Sequence, residues 1–143
     1  MPADIEAMLH RVVNDVFSAS VEADYSDEPK AVGHIFRARL KSTDADTRVV
    51  GLRASHDWSD ATIFDLDPGV NVSATMFEYD DDASKEENLR ALALVLRAYF
   101  RGEGRVEHRP LMFRRKPRPH YLVTIDGREW QLGKNSSRVQ YPD

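Results

Sequence analysis

Between Ser84 and Gly102 the chain carries a stretch that is apolar on almost every side of a helix. Leu89, Leu92, Leu96 and Tyr99 repeat at three- and four-residue spacings, Ala91, Val95 and Ala98 lie beside them, and only Arg90, Arg97 and Arg101 form a polar edge. A helix with so little polar surface must be packed across another apolar layer, as the centre of a core. Its ends are marked as well. Ser84-Lys85-Glu86-Glu87 fits a capping box with Ser84 as N-cap, and Gly102 is placed for a left-handed C-cap, so the spacing predicts a helix over 84–101.

The flanking sequence says what that helix packs on. Ile5, Met8, Leu9, Val12, Val16 and Phe17 make one face of an N-terminal amphipathic helix, with Pro2, Asp4 and Glu6 suited to its start. Residues 18–31, with Ser18, Ser20, Asp24, Ser26, Asp27 and Pro29, read as a polar connection. Alternation then takes over: 33–41, 48–54, 61–66 and 70–79 are predicted strands, with a loop at 56–60 and an Asp67-Pro68-Gly69 turn. The first of these has a basic outer face of Arg37, Arg39 and Lys41. After the central helix, 105–109, 111–115, 120–125 and 128–132 are further strand candidates. Lys116-Pro117-Arg118-Pro119 reads as a stiff linker, Asp126-Gly127 as a tight hairpin turn, and 134–143 as a loose C-terminal tail. The expectation is a single α+β domain over 1–143. Its antiparallel sheet has about six to eight strands, with the N-terminal helix and the central helix packed on it.

The 143 residues are the length of one domain, and a mean hydropathy of −0.54 with 31% charged residues is that of a globular chain in water. No apolar run approaches the eighteen or so residues that cross a bilayer, and the first residues lack the pattern of a secretory signal. The absence of cysteine excludes disulfides, thiolate metal sites and thiol catalysis. A cytoplasmic location without membrane contact is the expectation.

Charge is divided along the chain. Residues 1–96 hold 19 acidic and 9 basic side chains, whereas 97–143 hold 5 acidic and 11 basic. From Ala54 to Glu87 ten carboxylates stand against one lysine, and from Arg97 to Arg118 eight basic residues stand against two glutamates. Fields of opposite sign steer association and select partners, unless the two parts neutralise each other within the fold.

Motifs for chemistry are absent. The five histidines form no zinc-binding spacing, and the acids Asp65-x-Asp67 and Asp80-Asp81-Asp82 do not match a calcium loop. There is no nucleophile elbow and no glycine-rich phosphate loop, so neither catalytic residue, metal nor cofactor is expected. His56-Asp57 forms an acid–base pair only if it lies in a loop. The acidic stretch instead carries aromatics. Trp58, Phe77 and Tyr79 beside Asp57, Asp60, Asp65, Asp67, Asp80, Asp81 and Asp82 match a protein interface in which rings anchor and carboxylates steer. The alternative is that Trp58 packs in the core. A second reading uses the basic run Arg114, Arg115, Lys116 and Arg118 to grip nucleic acid, although an isoelectric point near 5.7 argues against a dedicated nucleic-acid binder.

Two stretches carry a resemblance. One runs from Glu86-Glu87-Asn88-Leu89-Arg90-Ala91-Leu92 through Tyr99-Phe100-Arg101-Gly102 to Val106-Glu107-His108-Arg109. The other is the closing hairpin Thr124-Ile125-Asp126-Gly127-Arg128-Glu129-Trp130. Over about residues 84–132 the chain resembles small actinobacterial immunity proteins of polymorphic-toxin systems. The resemblance implies a cytoplasmic, non-catalytic inhibitor that binds and occludes a cognate toxin. The order helix, strands, helix, strands is also similar to type III secretion chaperones, which implies a homodimer holding an export substrate. The chain has more strands than those chaperones use and lacks their third helix.

Overall fold

A computed structural model of the chain describes residues 4–17, 21–29, 33–43, 48–78, 82–109, 118–133 and 136–140, with the backbone alone for Asp82, Arg109 and 136–140. Two helices pack on one face of an antiparallel sheet, an α+β fold as the sequence predicts. Helix α1 (Ile5–Val16) is capped by Asp4, whose carboxylate accepts a hydrogen bond from the Ala7 N–H at 3.0 Å. Five strands follow: β1 (Val21–Glu28), β2 (Ile35–Ser42), β3 (Val49–Ala54), β4 (Trp58–Asp67) and β5 (Val70–Phe77). After helix α2 (Asp82–Phe100) come β6 (Arg105–Arg109), β7 (Arg118–Ile125), β8 (Arg128–Gly133) and β9 (Ser136–Gln140). The strand order is β1-β2-β3-β4-β5-β8-β7-β6, with β9 paired to β8 beside this path.

Strand alternation puts one row after another under the helices. Ala38, Leu52, Ala61 and Ala74 are cross-strand neighbours over β2–β5, and Leu40, Val50, Ile63 and Val72 form the next row. All eight are buried, and α1 lies over β2 and β3 while α2 lies over β3, β4 and β7. Leu89, Leu92, Val95 and Leu96 of α2 close the core with Met8, Leu9, Val12 and Val13 of α1. Tyr121, Val123, Trp130 and Leu132 extend it across β7 and β8. Exposed ion pairs clasp the helices together: Arg11 bonds Glu86, and Arg90 bonds Asp15 at 2.8 Å.

Several expectations need correction. Residues 21–28 form strand β1 rather than a connection, because Val21, Ala23 and Tyr25 alternate with Glu22, Asp24 and Ser26 and pair with β2. Helix α2 begins at Asp82, so Ser84 lies inside its first turn and is not the N-cap. Asp82 suits a helix start as well as Ser84 does, so the acidic run offers no unique starting point. The C-terminal end is as predicted: Gly102 has φ +75°, and the Gly102 and Glu103 N–H groups donate to the Tyr99 and Ala98 carbonyls. Arg118 and Pro119 open β7 instead of ending a linker, and 136–140 of the expected tail form β9 against β8. The candidate strand 111–115 lies outside the described residues. Asp126 and Gly127 both have positive φ, as the expected two-residue hairpin turn requires.

Candidate functional site

The helices cover one face of the sheet; over β1–β5 the other face carries most of the polar side chains of the alternation and, among the described residues, no helix. On this uncovered face Arg37, Arg53, Asp60 and Thr75 form one cross-strand row, and Arg39, Gly51, Thr62 and Ser73 the next. Gly51 is matched to Phe64: a Cβ there would stand 3.0 Å from the ring, so glycine lets the ring lie against β3. Arg39 rests over the same ring at 5.0 Å. A hollow of about 400 Å³ opens beside these groups, between Asp24 and Ser26 of β1 on one side and Arg37, Arg53, Thr62 and Phe64 on the other.

Trp58 and Phe77 stand at one end of this face. They are direct cross-strand partners, and Phe77 is 62% exposed. A tight turn makes the end compact: the Ser55 N–H donates to the Trp58 carbonyl, and the Glu78 N–H donates to the Asp57 carbonyl, both at 2.9 Å. Trp58 is therefore the first residue of β4, not part of a loop, and it is neither shut in the core nor fully free. The Arg53 guanidinium lies 5.0 Å from its ring centre while gripping the Asp60 carboxylate with two hydrogen bonds. That bonding raises the Arg53 pKa above its ordinary value, against the opposing effect of burial.

Beneath this surface lies a buried polar knot. Ser59 Oγ donates to Glu78 Oε1 at 2.7 Å, and Lys85 Nζ donates at 3.3 Å to both Glu78 Oε1 and the Trp58 carbonyl. The Glu78 and Lys85 side chains are only 1% and 4% exposed, and Glu78 Oε2 has no partner among the described residues. Lys85 thus ties the first turn of α2 to the strand ends that hold Trp58 and Phe77.

The expected acidic surface is only partly assembled. Asp57 is exposed beside Trp58, with His56 at 3.9 Å, and the backbone of Asp82 opens α2 near the same end. Asp60 is a correction: its side chain is 4% exposed and committed to Arg53, so it presents no charge outward. Asp65 and Asp67 lie at the far end of the ten-residue β4, roughly 25 Å from Trp58 at the usual strand rise. Asp65 is exposed at a bulge with φ +53°, and its N–H donates to Asn71 Oδ1 at 3.1 Å; Asp67 lies 3.6 Å from His108. Tyr79, Asp80 and Asp81 lie outside the described residues, as do Arg114, Arg115 and Lys116. Arg118 pairs in register with Arg109 at the start of β7.

Among the described residues the Asp67–His108 contact is the single ion pair between the acidic stretch and 97–118. The buried or bonded acids are held by nearer cations instead, Asp60 by Arg53 and Glu78 by Lys85.

No family model, curated protein or solved structure matches the chain.

Three features of this region escape the sequence reading. β1 adds four carboxylates to the sheet margin, Lys85 is buried, and Asp60 is neutralised across the strand by Arg53. The alternation of Val21, Ala23 and Tyr25 was the available signal for the first. Nothing local signals the other two, since each depends on a partner from another element.

Proposed function

We propose that the chain is a non-catalytic protein-binding domain whose contact surface is the Trp58–Phe77 end of the uncovered sheet face, with Asp57 steering a basic partner toward it. The observation that carries this reading is Phe77, a large apolar side chain mostly in water yet paired in register with Trp58. A ring so exposed on a strand end, beside a second ring and the exposed Asp57 carboxylate, has the composition of an interface centre. The neighbouring hollow offers a recess for one side chain of the partner. The resemblance to immunity proteins supports the further proposal that the partner is a cognate toxin, bound and occluded rather than modified.

The test is affinity capture from the native lysate with the parent and with Phe77→Ser, followed by mass spectrometry and measurement with the purified partner. A folded basic protein, bound by the parent and weakened by about tenfold or more in the variant, is the expected result. Equal capture by both chains refutes the surface. Recovery of RNA, or of an unfolded export substrate on a dimer of this chain, replaces the reading with one of the two alternatives.

A further inference from the structure

The first strand is one of the two end strands of the sheet, β6 being the other. β1 pairs with β2 on one side, and no described strand lies on its other side. Over its eight residues it leaves a row of outward N–H and C=O groups, which is the template on which another chain adds a strand.

Register gives that margin a definite chemistry. On the uncovered face Glu22 faces Lys41, Asp24 faces Arg39 and Ser26 faces Arg37, with Glu28 at the end of the row. Basic groups therefore lie on β2 and acidic groups on β1, so the next strand outward meets carboxylates. Glu28 is taken by Arg37 at 2.6 Å, and on the helix side Asp27 is taken by His34 at 2.6 Å. Glu22 and Asp24 are exposed and have no ion pair among the described residues. Toward the helices the strand shows Val21, Ala23 and Tyr25, with the Tyr25 ring stacked on His10 at 3.7 Å.

We propose that the β1 margin is a docking site for an extended basic segment of another protein. The segment adds as a further strand, with lysine or arginine at alternate positions beside Glu22 and Asp24 and small apolar residues between them beside Val21, Ala23 and Tyr25. A second copy of this chain is the wrong occupant, because β1 holds four carboxylates and no basic residue, and pairing it with itself sets like charges together. The charges that discourage neutral and acidic strands at this edge are the ones that admit a basic strand. The margin lies apart from the Trp58 and Phe77 rings, since β1 and β4 are three strand spacings apart, roughly 14 Å, although Asp24 and Ser26 of β1 also line the hollow that reaches Arg53.

The probe is a blocked synthetic octapeptide of alternating lysine and valine. One control has the same residues with the lysines in a block; another keeps the alternation but is N-methylated at the amides that would pair with β1. Affinity is read by fluorescence anisotropy near physiological salt, and pairing by NMR-detected exchange of the β1 amides. The alternating peptide is expected to bind about tenfold or more tightly than either control and to slow exchange of the amides facing away from β2. Glu22→Lys with Asp24→Lys should weaken it by a similar factor, whereas Phe77→Ser should leave it unchanged. Equal binding of the N-methylated control, unchanged exchange in β1, or loss in Phe77→Ser overturns the inference. The N-methylated arm uses the unaltered protein, so a folding defect in the charge variant leaves the test intact.

Discussion

Replacing Lys85 by methionine removes the one cation from a buried knot and leaves its anion behind. Methionine keeps the length and most of the volume of the side chain, so packing changes little, but Glu78 retains Ser59 Oγ as its single donor among the described residues. One of its carboxylate oxygens already lacks a partner among the described residues, and the side chain is almost wholly out of water. The Trp58 carbonyl loses a donor at the same time. Breaking a buried ion pair from one side costs about 3–5 kcal/mol, mainly through the uncompensated charge that remains. For a domain near this size that corresponds to a fall in Tm of roughly 10 °C. Urea unfolding followed by circular dichroism should show a lower midpoint at unchanged slope. Glu78→Gln added to Lys85→Met removes the stranded charge and keeps an acceptor for Ser59, so it should recover all but about 1–2 kcal/mol. A single-variant loss below about 1 kcal/mol, or a double variant no more stable than Lys85→Met, refutes the account of this knot as a charge-balanced tie.

Two further outcomes follow from particular contacts. At Gly104 φ is +82°, and a Cβ would lie 2.7 Å from both the Leu122 carbonyl oxygen and the Tyr121 hydroxyl. Gly104→Ala should therefore cost about 3 kcal/mol in chemical unfolding, against about 1–2 for Gly69→Ala, which has φ +78° and open space around it. Equal losses would mean that the close approach contributes nothing. Hydrogen bonds from Arg11 and Arg90 hold the Glu86 carboxyl below the usual carboxylate range. A depressed carboxylate adds stability above its unfolded pKa of about 4.3 and loses it as pH falls through the lower folded value. Glu86→Gln should consequently flatten the decline in Tm below about pH 4 at low salt, and the difference should fade in about 1 M salt, because the pairs are exposed. A Tm difference that persists unchanged in high salt would contradict this assignment.

The central helix, the strands β2–β5, the Asp126-Gly127 hairpin and the outward side of Phe77 were all legible in the sequence. Each is written in a short window. A period of about 3.6 or of 2, a glycine after the last helical turn, or a two-residue turn does not depend on distant partners. Strand β1 was hidden because its apolar half is only Val21, Ala23 and Tyr25, and its polar half has the composition of a loop. It becomes a strand when β2 supplies Lys41 and Arg39 opposite Glu22 and Asp24, and Arg37 to pair with Glu28. The candidate site divided in the same way.

Sequence by itself determined that the middle of this chain would be acidic, that rings would lie among its carboxylates, and that an apolar helix would cover a sheet. Tertiary structure alone decided which of those acids meet water. Asp60 is neutralised by Arg53 across the strand, Glu78 by Lys85 from the helix, and Asp57 is left exposed beside Trp58 and Phe77. The physical reason is that a side chain's charge is a local property, whereas its burial and its counterion come from the way one strand or helix is laid against another, even where, as for Arg53–Asp60 and Glu78–Lys85, the two residues are seven apart in sequence.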